Sequence, residues 1–435
     1  MKIYFETLGC PKNFNDTQAA KGIMAEAGYE IAETAEESDV IVVNTCGFIN
    51  DAKRESIERI FDMVPYREEG KKLVVSGCLS ERYADDLYEE MPEVDLFIGV
   101  NEYDKLPELL SASEGREKVI TGCYDKTLST HKRILDDNPY SATLKIAEGC
   151  DNCCAYCIIP KIRGGFRSKP METVITEAEE LAEAGCRELI LIAQDVTNYG
   201  RDLYGEPKLA ELVTKLCSID GIEWIRLMYC YEDRITDELI EVMAKEPKVC
   251  HYIDIPVQHS SDSILKAMRR RSTEKSIRDT IKRLRDAIPD IHIRTTLIVG
   301  FPGETEEDFE NLLNFVEEMK FARLGVFAYS QEEGTEAGEM ENQIEEEIKQ
   351  ERLDAIMRRQ LDISLEYNRE KIGTEMTVLV EERDEDGSYI GRTRYDAPEI
   401  DNSVIFTSRR DLKAGDMVRI LVEDAFDYDL VGREV

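Results

Sequence analysis

Three cysteines, Cys150, Cys154 and Cys157, have the spacing CxxxCxxC within the string AEGCDNCCAYCIIP. A structural zinc site usually takes four protein ligands, and no fourth Cys or His follows closely in the sequence. Three thiolates can instead bind three corners of a [4Fe-4S] cluster and leave one iron open to a small molecule. Cys153 falls outside this spacing, and we interpret it as a bystander. The motif therefore predicts an iron–sulfur centre that also binds a ligand.

A second set of cysteines, Cys10, Cys46 and Cys78, ends three apolar runs with the sequences ETLGC, VNTC and VSGC. A single free cysteine is ordinarily a small buried apolar residue. In a parallel sheet, however, the C-terminal ends of neighbouring strands lie side by side at the edge where ligands bind. We therefore predict a second three-thiolate cluster. The other cysteines show no ligand spacing and are predicted to be core or incidental residues: Cys123, Cys186, Cys217, Cys230 and Cys250.

The elements that must position these cysteines are short apolar runs that alternate with helical stretches. Over residues 1–115 this alternation predicts a doubly wound parallel α/β domain, and residues 116–140 are predicted to form a linker with some local structure. Six strand–helix units over residues 141–335 predict an open (β/α)6 partial TIM barrel, two units short of the closed eightfold form. The fold class is α/β.

The C-terminal third of the chain has a different pattern. Residues 336–369 are rich in Glu and predict a long, solvated connecting helix. After them, residues 370–435 contain short β-like runs separated by Gly and Asp, which predicts a small all-β barrel or sandwich. From Lys371 to Val435 we count 9 Lys and Arg against 16 Asp and Glu, a net charge of −7.

The amino-acid composition restricts the classes of molecule that the chain can bind. The chain has 435 residues, with 55 Lys and Arg against 91 Asp and Glu, which gives a formal net charge of −36. Such an acidic molecule repels a phosphate backbone and attracts a basic partner, so direct nucleic-acid binding is not expected. The N-terminus lacks the features of a signal peptide, and no run approaches the roughly 18 apolar residues of a membrane span. We expect a cytoplasmic protein without membrane contact.

The cysteine motif, with an aromatic Tyr156 before its last cysteine, opens a six-unit α/β domain, and in this it resembles the radical S-adenosylmethionine superfamily. The resemblance implies that Cys150, Cys154 and Cys157 hold a cluster whose free iron chelates S-adenosylmethionine. The cluster then supplies an electron, and a 5′-deoxyadenosyl radical forms. A cofactor must carry such a step, because protein side chains alone do not abstract hydrogen from an unactivated carbon.

The whole chain resembles the methylthiotransferases, in which a three-cysteine domain precedes the radical domain and a small TRAM-like β-domain follows it. In that family, the second [4Fe-4S] cluster is the sulfur source or carrier. The strings that resemble the RimO-like branch are ETLGCPKN, CGFINDAKRESI, DIPVQHSSD, FAYSQEEGT and GRTRYDAPEID. This resemblance implies methylthiolation of the β-carbon of an aspartate in the twelfth protein of the small ribosomal subunit, a basic protein, with an electron donor such as flavodoxin or ferredoxin.

Two other functions remain open on the sequence. The first is the same chemistry on an adenosine of transfer RNA, as in the MiaB-like branch, which requires basic faces that the composition does not show. The second is a non-catalytic iron–sulfur carrier, which gives no reason for a six-unit barrel. No catalytic residues are predicted beyond the cluster ligands.

Further candidate residues are weaker. Gly300, Pro302 and Gly303 in LIVGFPGET could let the backbone approach a nucleoside or could form only a strand-to-helix turn. Gln194 and Asp195 end a strand near the same mouth, although Asp195 could simply cap a helix. Tyr156 completes the predicted cofactor-binding set. Substrate contacts are predicted at Glu399 and Asp401, for which a surface turn is equally plausible. The basic run 269–271 is expected to be solvated, the alternative being a contact with ribosomal RNA or S-adenosylmethionine.

Overall fold

Three consecutive folding units appear in a computed structural model of the chain, which describes residues 1–112, 115–120, 132–135 and 138–435. Cys123 lies outside these residues. The first unit is a six-stranded, all-parallel sheet with the strand order β2-β1-β3-β4-β5-β6. Its elements are β1 (Lys2–Thr7), α1 (Pro11–Glu26), β2 (Glu30–Ile31), β3 (Val40–Thr45), α2 (Asn50–Glu68), β4 (Lys72–Gly77), α3 (Cys78–Arg82), α4 (Ala84–Glu90), β5 (Leu96–Ile98), α5 (Leu106–Ala112) and β6 (Glu117–Val119).

The central strand β3 shows why this sheet is wound on both faces. All six of its residues are buried. Val40 and Val42 pack with the α1 and α5 side, whereas Ile41 and Val43 pack with the α2 side. A strand that is buried on both faces needs a continuous apolar run rather than an alternating one, which is the pattern in its sequence. The predicted doubly wound domain is confirmed.

The predicted boundary of this domain differs from the structure. Strand β6 lies inside the segment 116–140 and pairs in parallel with β5, so Ile98 stands beside Val119. The strand is only three residues long and none of it is fully buried. It therefore carries too short an apolar pattern to be recognised, and only pairing with β5 identifies it as an edge strand.

The second unit is the predicted open barrel: six parallel strands in the order β14-β13-β12-β11-β10-β7. Its strands are β7 (Ser141–Lys145), β8 (Ala147–Glu148), β9 (Arg167–Ser168), β10 (Glu188–Ile192), β11 (Trp224–Leu227), β12 (Val249–Asp254), β13 (His292–Val299) and β14 (Arg323–Ala328), with β8 and β9 forming a separate ribbon. Its helices are α6 (Ile159–Arg163), α7 (Met171–Glu183), α8 (Arg201–Tyr204), α9 (Leu209–Cys217), α10 (Asp237–Lys245), α11 (Asp262–Ala267), α12 (Glu274–Ala287) and α13 (Glu306–Met319).

The connecting helix, α14 (Glu346–Arg369), is shorter and more buried than the sequence predicts. It starts ten residues later than residue 336, because a short 3-10 turn at Ala337–Glu339 precedes it. One face is packed rather than solvated: Ile356 and Ile363 belong to the core of the barrel. Glu-rich composition hides this narrow apolar stripe, so the expectation of a solvated helix was wrong.

The third unit is a closed five-stranded barrel with the strand order β15-β16-β17-β19-β18, as the sequence pattern predicts. Alternate residues of each strand point into its core, among them Val378, Val404 and Ile420. The strands are β15 (Glu375–Arg383), β16 (Tyr389–Thr393), β17 (Val404–Thr407), β18 (Met417–Ala425) and β19 (Leu430–Glu434).

This small barrel closes the N-terminal end of the large one. Glu188, the first residue of β10, is fully buried and forms ion pairs with Arg226 of β11 and Arg392 of β16. Arg323, the first residue of β14, pairs with Asp396 at 2.6 Å. These buried ion pairs lie where the strands begin, so they leave the C-terminal end of the large barrel free for a site. No helix in the described part of the chain is long and apolar enough to cross a membrane.

Candidate active site

The cysteines of the N-terminal domain follow three neighbouring strands, as predicted. Cys10 follows β1, Cys46 follows β3 and Cys78 follows β4, and the order β1-β3-β4 makes these strands adjacent. The strands end in step, because Thr45 pairs with Gly77. Cys46 and Cys78 are buried, and Cys10 is half-buried at the N-terminus of α1. The structure therefore brings the three thiols to one edge of the sheet.

The second triplet lies on the loop that follows β7 and β8. Cys150 is buried, whereas Cys154 and Cys157 are half-buried. The backbone N–H of Cys157 donates to the carbonyl of Cys154 at 3.0 Å, which closes a turn between these two cysteines. Cys153 is exposed, unlike the buried or half-buried cysteines of the triplet, and has a left-handed φ of 51°. This arrangement agrees with its interpretation as a bystander.

The donor chemistry fits two iron–sulfur clusters. Burial raises the pKa of the Cys46 thiol to about 12 and that of Cys150 to about 11. Such thiols stay protonated unless a metal replaces the proton. Among the described residues, no three His, Cys, Asp or Glu side chains converge on a single point as ligands of one ion would. The thiolates of a cubane each bind a different iron and therefore surround the cluster instead.

A glycine beside the second triplet allows two segments of backbone to lie in close contact. Gly149 precedes Cys150 and has a φ of 78°, and a Cβ there would lie 2.1 Å from the carbonyl oxygen of Gly165. The Cys150 N–H also donates to the Gly164 carbonyl at 3.1 Å. A glycine stands beside a ligand in every one of the strings LGC, CGF, SGC and EGC, and this is a signal in the sequence for tightly folded ligand loops.

The substitution Gly149→Ala is expected to lower the iron content of the reconstituted protein, because the ligand loop must move away from Gly165. The left-handed φ adds about 1–2 kcal/mol of strain for any residue with a Cβ. The matched control is Gly205→Ala, where φ is 77° and a Cβ would meet nothing within 4 Å. Iron per chain, measured after anaerobic reconstitution, should fall in the first variant and not in the second. Equal iron in both would contradict the prediction.

The N-terminal domain spans the open side of the large barrel. On one side, α1 reaches the edge strand β7, where the Asn15 amide donates to the Thr143 carbonyl at 3.2 Å. On the other side, Lys53 and Arg82 form ion pairs at 2.8 and 3.0 Å with Glu332, just after the edge strand β14. These contacts hold the sheet edge with its three thiols over the gap between the two edge strands.

A cavity of about 1010 Å³ lies at this junction. Cys10 and Cys46 line it from the N-terminal domain, and Tyr156, from the loop of the second triplet, lines it from the barrel. Inward-facing apolar side chains of the barrel strands form much of the remaining wall, among them Ile190, Ile192, Met228 and Ile298. The first triplet therefore borders this largely apolar space directly, and the loop of the second triplet reaches it through Tyr156.

Backbone strain is concentrated around this space. Six non-glycine residues in the described part of the chain have a left-handed φ, and four of them lie at the site. Cys153 is in the ligand loop, and Tyr229, Gln258 and Glu399 line the cavity. Non-glycine residues in this region of φ are costly and persist where the surrounding structure holds them, which is common at active sites.

The predicted cofactor-binding residues occupy different places. Tyr156 lines the cavity, as stated above. Gln194 donates to Glu148 at 2.8 Å and has its buried carbonyl oxygen without a hydrogen-bond partner. Asp195 is buried and accepts from the Asn152 amide at 2.9 Å, which ties it to the ligand loop between Cys150 and Cys154. Asp195 does not cap the following turn with its side chain.

The glycine turn after β13 is closed on itself. The carboxylate of Glu304 accepts from the N–H groups of Gly300 and Phe301 at 2.7 and 3.2 Å. Gly300 also lies against Lys349 of α14, where a Cβ would be 2.3 Å from the side chain. Gly300, Pro302 and Gly303 do not line the cavity. The turn that they form is held by Glu304 and is not part of the cavity surface.

The two residues that were predicted to contact the substrate also differ in their positions. Glu399 lines the cavity from the small barrel. Asp401 is buried, where it accepts from the Tyr252 hydroxyl at 2.7 Å and lies 3.5 Å from the Arg294 guanidinium. Burial raises the pKa of Asp401, although Arg294 opposes this. Asp401 therefore joins the small barrel to the large one, and only Glu399 faces the space that a substrate could enter.

Sequence analysis did not identify some of the residues at the site. Arg270 belongs to the basic run 269–271, yet it is buried and donates to Glu232 at 2.9 Å, so the expectation of a solvated run was wrong for this residue. Its guanidinium lies 3.9 Å from the ring centroid of Tyr231, whose hydroxyl is 2.8 Å from Cys154 Sγ. Neither residue stands near the cysteine motif in sequence, and no local signal identifies them.

Family comparisons divide the chain as the structure does. Residues 2–99 match an uncharacterized protein family, UPF0004, residues 144–316 match the radical SAM superfamily, and residues 372–435 match the TRAM domain.

Curated relatives match over nearly the full length. The chain is 49% identical over 438 residues to the ribosomal protein uS12 methylthiotransferase RimO of Geobacter sulfurreducens, covering 99% of this chain and 98% of that one. It is 50% identical over 436 residues to the protein of the same name from Desulforamulus reducens, with 98% of each chain covered.

Solved structures share the fold at low sequence identity. The radical S-adenosylmethionine methyltransferase TsrM from Kitasatospora setae superposes with a TM-score of 0.59 at 12% identity, over 78% of this chain and 74% of that one. The cobalamin-dependent radical enzyme OxsB superposes with a TM-score of 0.54 at 14% identity, over 82% and 56%. These two likenesses concern the fold alone.

Proposed function

The chain belongs to the RimO family of ribosomal protein uS12 methylthiotransferases, and from this membership we propose that it transfers a methylthio group to the β-carbon of an aspartate in uS12. The observation that carries the proposal is one cavity lined by two thiols of the first triplet, Cys10 and Cys46, and by Tyr156 from the loop of the second triplet. When bound there, two [4Fe-4S] clusters and S-adenosylmethionine supply the electron, the hydrogen-abstracting radical, the methyl group and the sulfur.

The side chains have distinct parts in this proposal. One cluster is held by Cys150, Cys154 and Cys157, and the other by Cys10, Cys46 and Cys78. Tyr156, Gln194 and Asp195 orient S-adenosylmethionine beside the first cluster, with Gly300, Pro302 and Gly303 behind them. The free carbonyl oxygen of Gln194 supports this, because a buried acceptor without a partner is costly unless a ligand satisfies it. The apolar wall excludes water, which would otherwise quench reactive species.

The charge of the small barrel supports a protein substrate rather than RNA. The domain carries −7, and five of its nine Lys and Arg already form ion pairs with carboxylates. One of these, Arg392, is buried against Glu188 of the large barrel. Few cations remain for a phosphate backbone, whereas a basic ribosomal protein is attracted. The transfer RNA alternative is therefore not favoured.

The direct test offers the reconstituted, reduced protein two substrates in the presence of S-adenosylmethionine. Small ribosomal subunits and transfer RNA, both from a strain that lacks the gene, are incubated separately and analysed by mass spectrometry. We expect a methylthio mass on the uS12 aspartate and none on transfer RNA. The reverse result would overturn the proposal. A protein that releases no 5′-deoxyadenosine would instead be a non-catalytic carrier.

Glu399 is the proposed contact for basic side chains of the substrate. We expect Glu399→Lys to raise KM for uS12 about tenfold, a change of about 1.4 kcal/mol. The reason is that the substitution replaces a carboxylate in the cavity by an ammonium group, which repels the basic side chains of the substrate. The matched control is Asp424→Lys, an exposed position of the same domain that does not line the cavity. Release of 5′-deoxyadenosine without substrate should be unchanged in both variants. An equal KM in the two variants would remove Glu399 from the substrate site.

The remaining partners follow from the same proposal. Each turnover needs an external electron, for which flavodoxin or ferredoxin is the proposed donor. The cytoplasm is the proposed location, since ribosomal subunits are assembled there.

A further inference from the structure

Arg163 connects the two cysteine sites across the domain junction. It is the last residue of α6, the short helix that begins two residues after Cys157. Its side chain is only 2% exposed. One terminal nitrogen donates to Asp16 at 2.9 Å and to Glu148 at 3.1 Å. The other donates to the side-chain oxygen Oδ1 of Asn13 at 2.8 Å and to Cys78 Sγ at 3.5 Å.

The partners of Arg163 come from both sites. Asn13, Asp16 and Cys78 belong to the N-terminal domain, and Glu148 precedes Gly149 and the first cysteine of the other triplet. Glu148 also accepts from Gln194 and from Lys145. Since Glu148 and Asp16 fix one nitrogen of the planar guanidinium, the other nitrogen has little freedom to leave Cys78.

Four charged side chains surround the contact between Arg163 and Cys78. Lys145 and Arg163 supply two positive charges, and Asp16 and Glu148 supply two negative ones; all but the half-buried Lys145 are buried. A thiolate at Cys78 adds one more negative charge, and the guanidinium is the cation that it contacts. In a site without water, such a charged hydrogen bond is stronger than it is at the surface.

We propose that Arg163 is a positioning residue for the cluster on Cys10, Cys46 and Cys78, and that its hydrogen bond to Cys78 raises the reduction potential of that cluster. This inference rests on the cluster assignment in the proposed function. Adding an electron makes the cluster and its thiolates more negative, so a donor at the sulfur stabilises the reduced form more than the oxidised form. The network also makes the docking of the two domains a condition for that potential.

The test is a potentiometric titration followed by electron paramagnetic resonance, which needs no substrate. It is made in the full chain carrying Cys150→Ala, Cys154→Ala and Cys157→Ala, so that only the N-terminal cluster contributes. We expect Arg163→Gln to lower its reduction potential, by about a tenfold change in the one-electron equilibrium constant, or 59 mV. Arg163→Lys keeps the positive charge but loses the two terminal nitrogens of the planar guanidinium. We expect a smaller decrease of the reduction potential in this variant.

The matched control is Lys53→Gln, which removes a cation from the same domain junction without touching a thiol. The domains should stay docked, because Arg82 still pairs with Glu332, and the potential should be unchanged. An unchanged potential in Arg163→Gln at wild-type iron content would overturn the inference, as would an equal shift in the control. If Arg163→Gln does not bind the cluster, the reduction potential of Arg163→Lys is compared with that of the wild type instead. An unchanged potential in that variant would also overturn the inference. A single cluster in the wild-type protein would instead refute the proposed function.

Discussion

The triple substitution Cys10→Ala, Cys46→Ala, Cys78→Ala is expected to lower the iron content from about eight to about four per chain, as the loss of one of two [4Fe-4S] clusters requires. Methylthiolation of uS12 should be lost completely, because the three thiols at the ends of β1, β3 and β4 hold the proposed sulfur-carrying cluster. Cleavage of S-adenosylmethionine should continue, because the other triplet is intact. Iron analysis, product mass spectrometry and 5′-deoxyadenosine release are measured on the same preparation.

A control for this experiment is present in the chain. Cys186, Cys217 and Cys250 lie away from both triplets, in the barrel core or packed against it. Their triple replacement by alanine should lose some stability but keep about eight irons and full product formation. Retention of eight irons in the first variant would mean that Cys10, Cys46 and Cys78 bind no cluster.

The second large effect concerns stability. We expect Glu188→Gln to lower the free energy of unfolding by about 3–5 kcal/mol, since it leaves two buried guanidiniums, Arg226 and Arg392, without their shared carboxylate. The large and small barrels both depend on this contact. Chemical denaturation monitored by circular dichroism measures the loss. In Glu423→Gln, which breaks an exposed ion pair with Arg433, the loss should be within about 1 kcal/mol.

The same ion pairs predict a pH dependence. Burial alone would raise the pKa of Glu188, but Arg392 and Arg226 lower it from 4.5 to about 2. The folded protein therefore binds this proton less readily than the unfolded chain does. The stability from Glu188 is present above pH 4.5 and is lost as the pH falls towards 2. The difference in unfolding free energy between wild type and Glu188→Gln should narrow over that range; a constant difference would contradict this assignment.

Much of the site could be predicted because its ligands follow local rules. Parallel strands end side by side, so a cysteine after each of β1, β3 and β4 must reach a common edge wherever those strands are neighbours. The spacing CxxxCxxC is local in the same way, since one loop carries all three thiols. The barrel strands were also recognisable, because strands that are buried on both faces have continuous apolar runs.

Tertiary structure alone decided how the two sites meet. Arg163, Glu332 and Glu188 each take a partner from another domain. In the sequence, Cys78 is 85 residues from Arg163, Arg82 is 250 residues from Glu332, and Arg392 is 204 residues from Glu188. Nothing local marks such a residue, because a buried charge and a solvated one look alike in sequence. The same reason explains α14, whose Glu-rich composition conceals its packed face. The order of residues therefore identifies which thiols can bind iron. The cavity between them depends on the docking of three domains, since a buried ion pair exists only where two surfaces exclude water together.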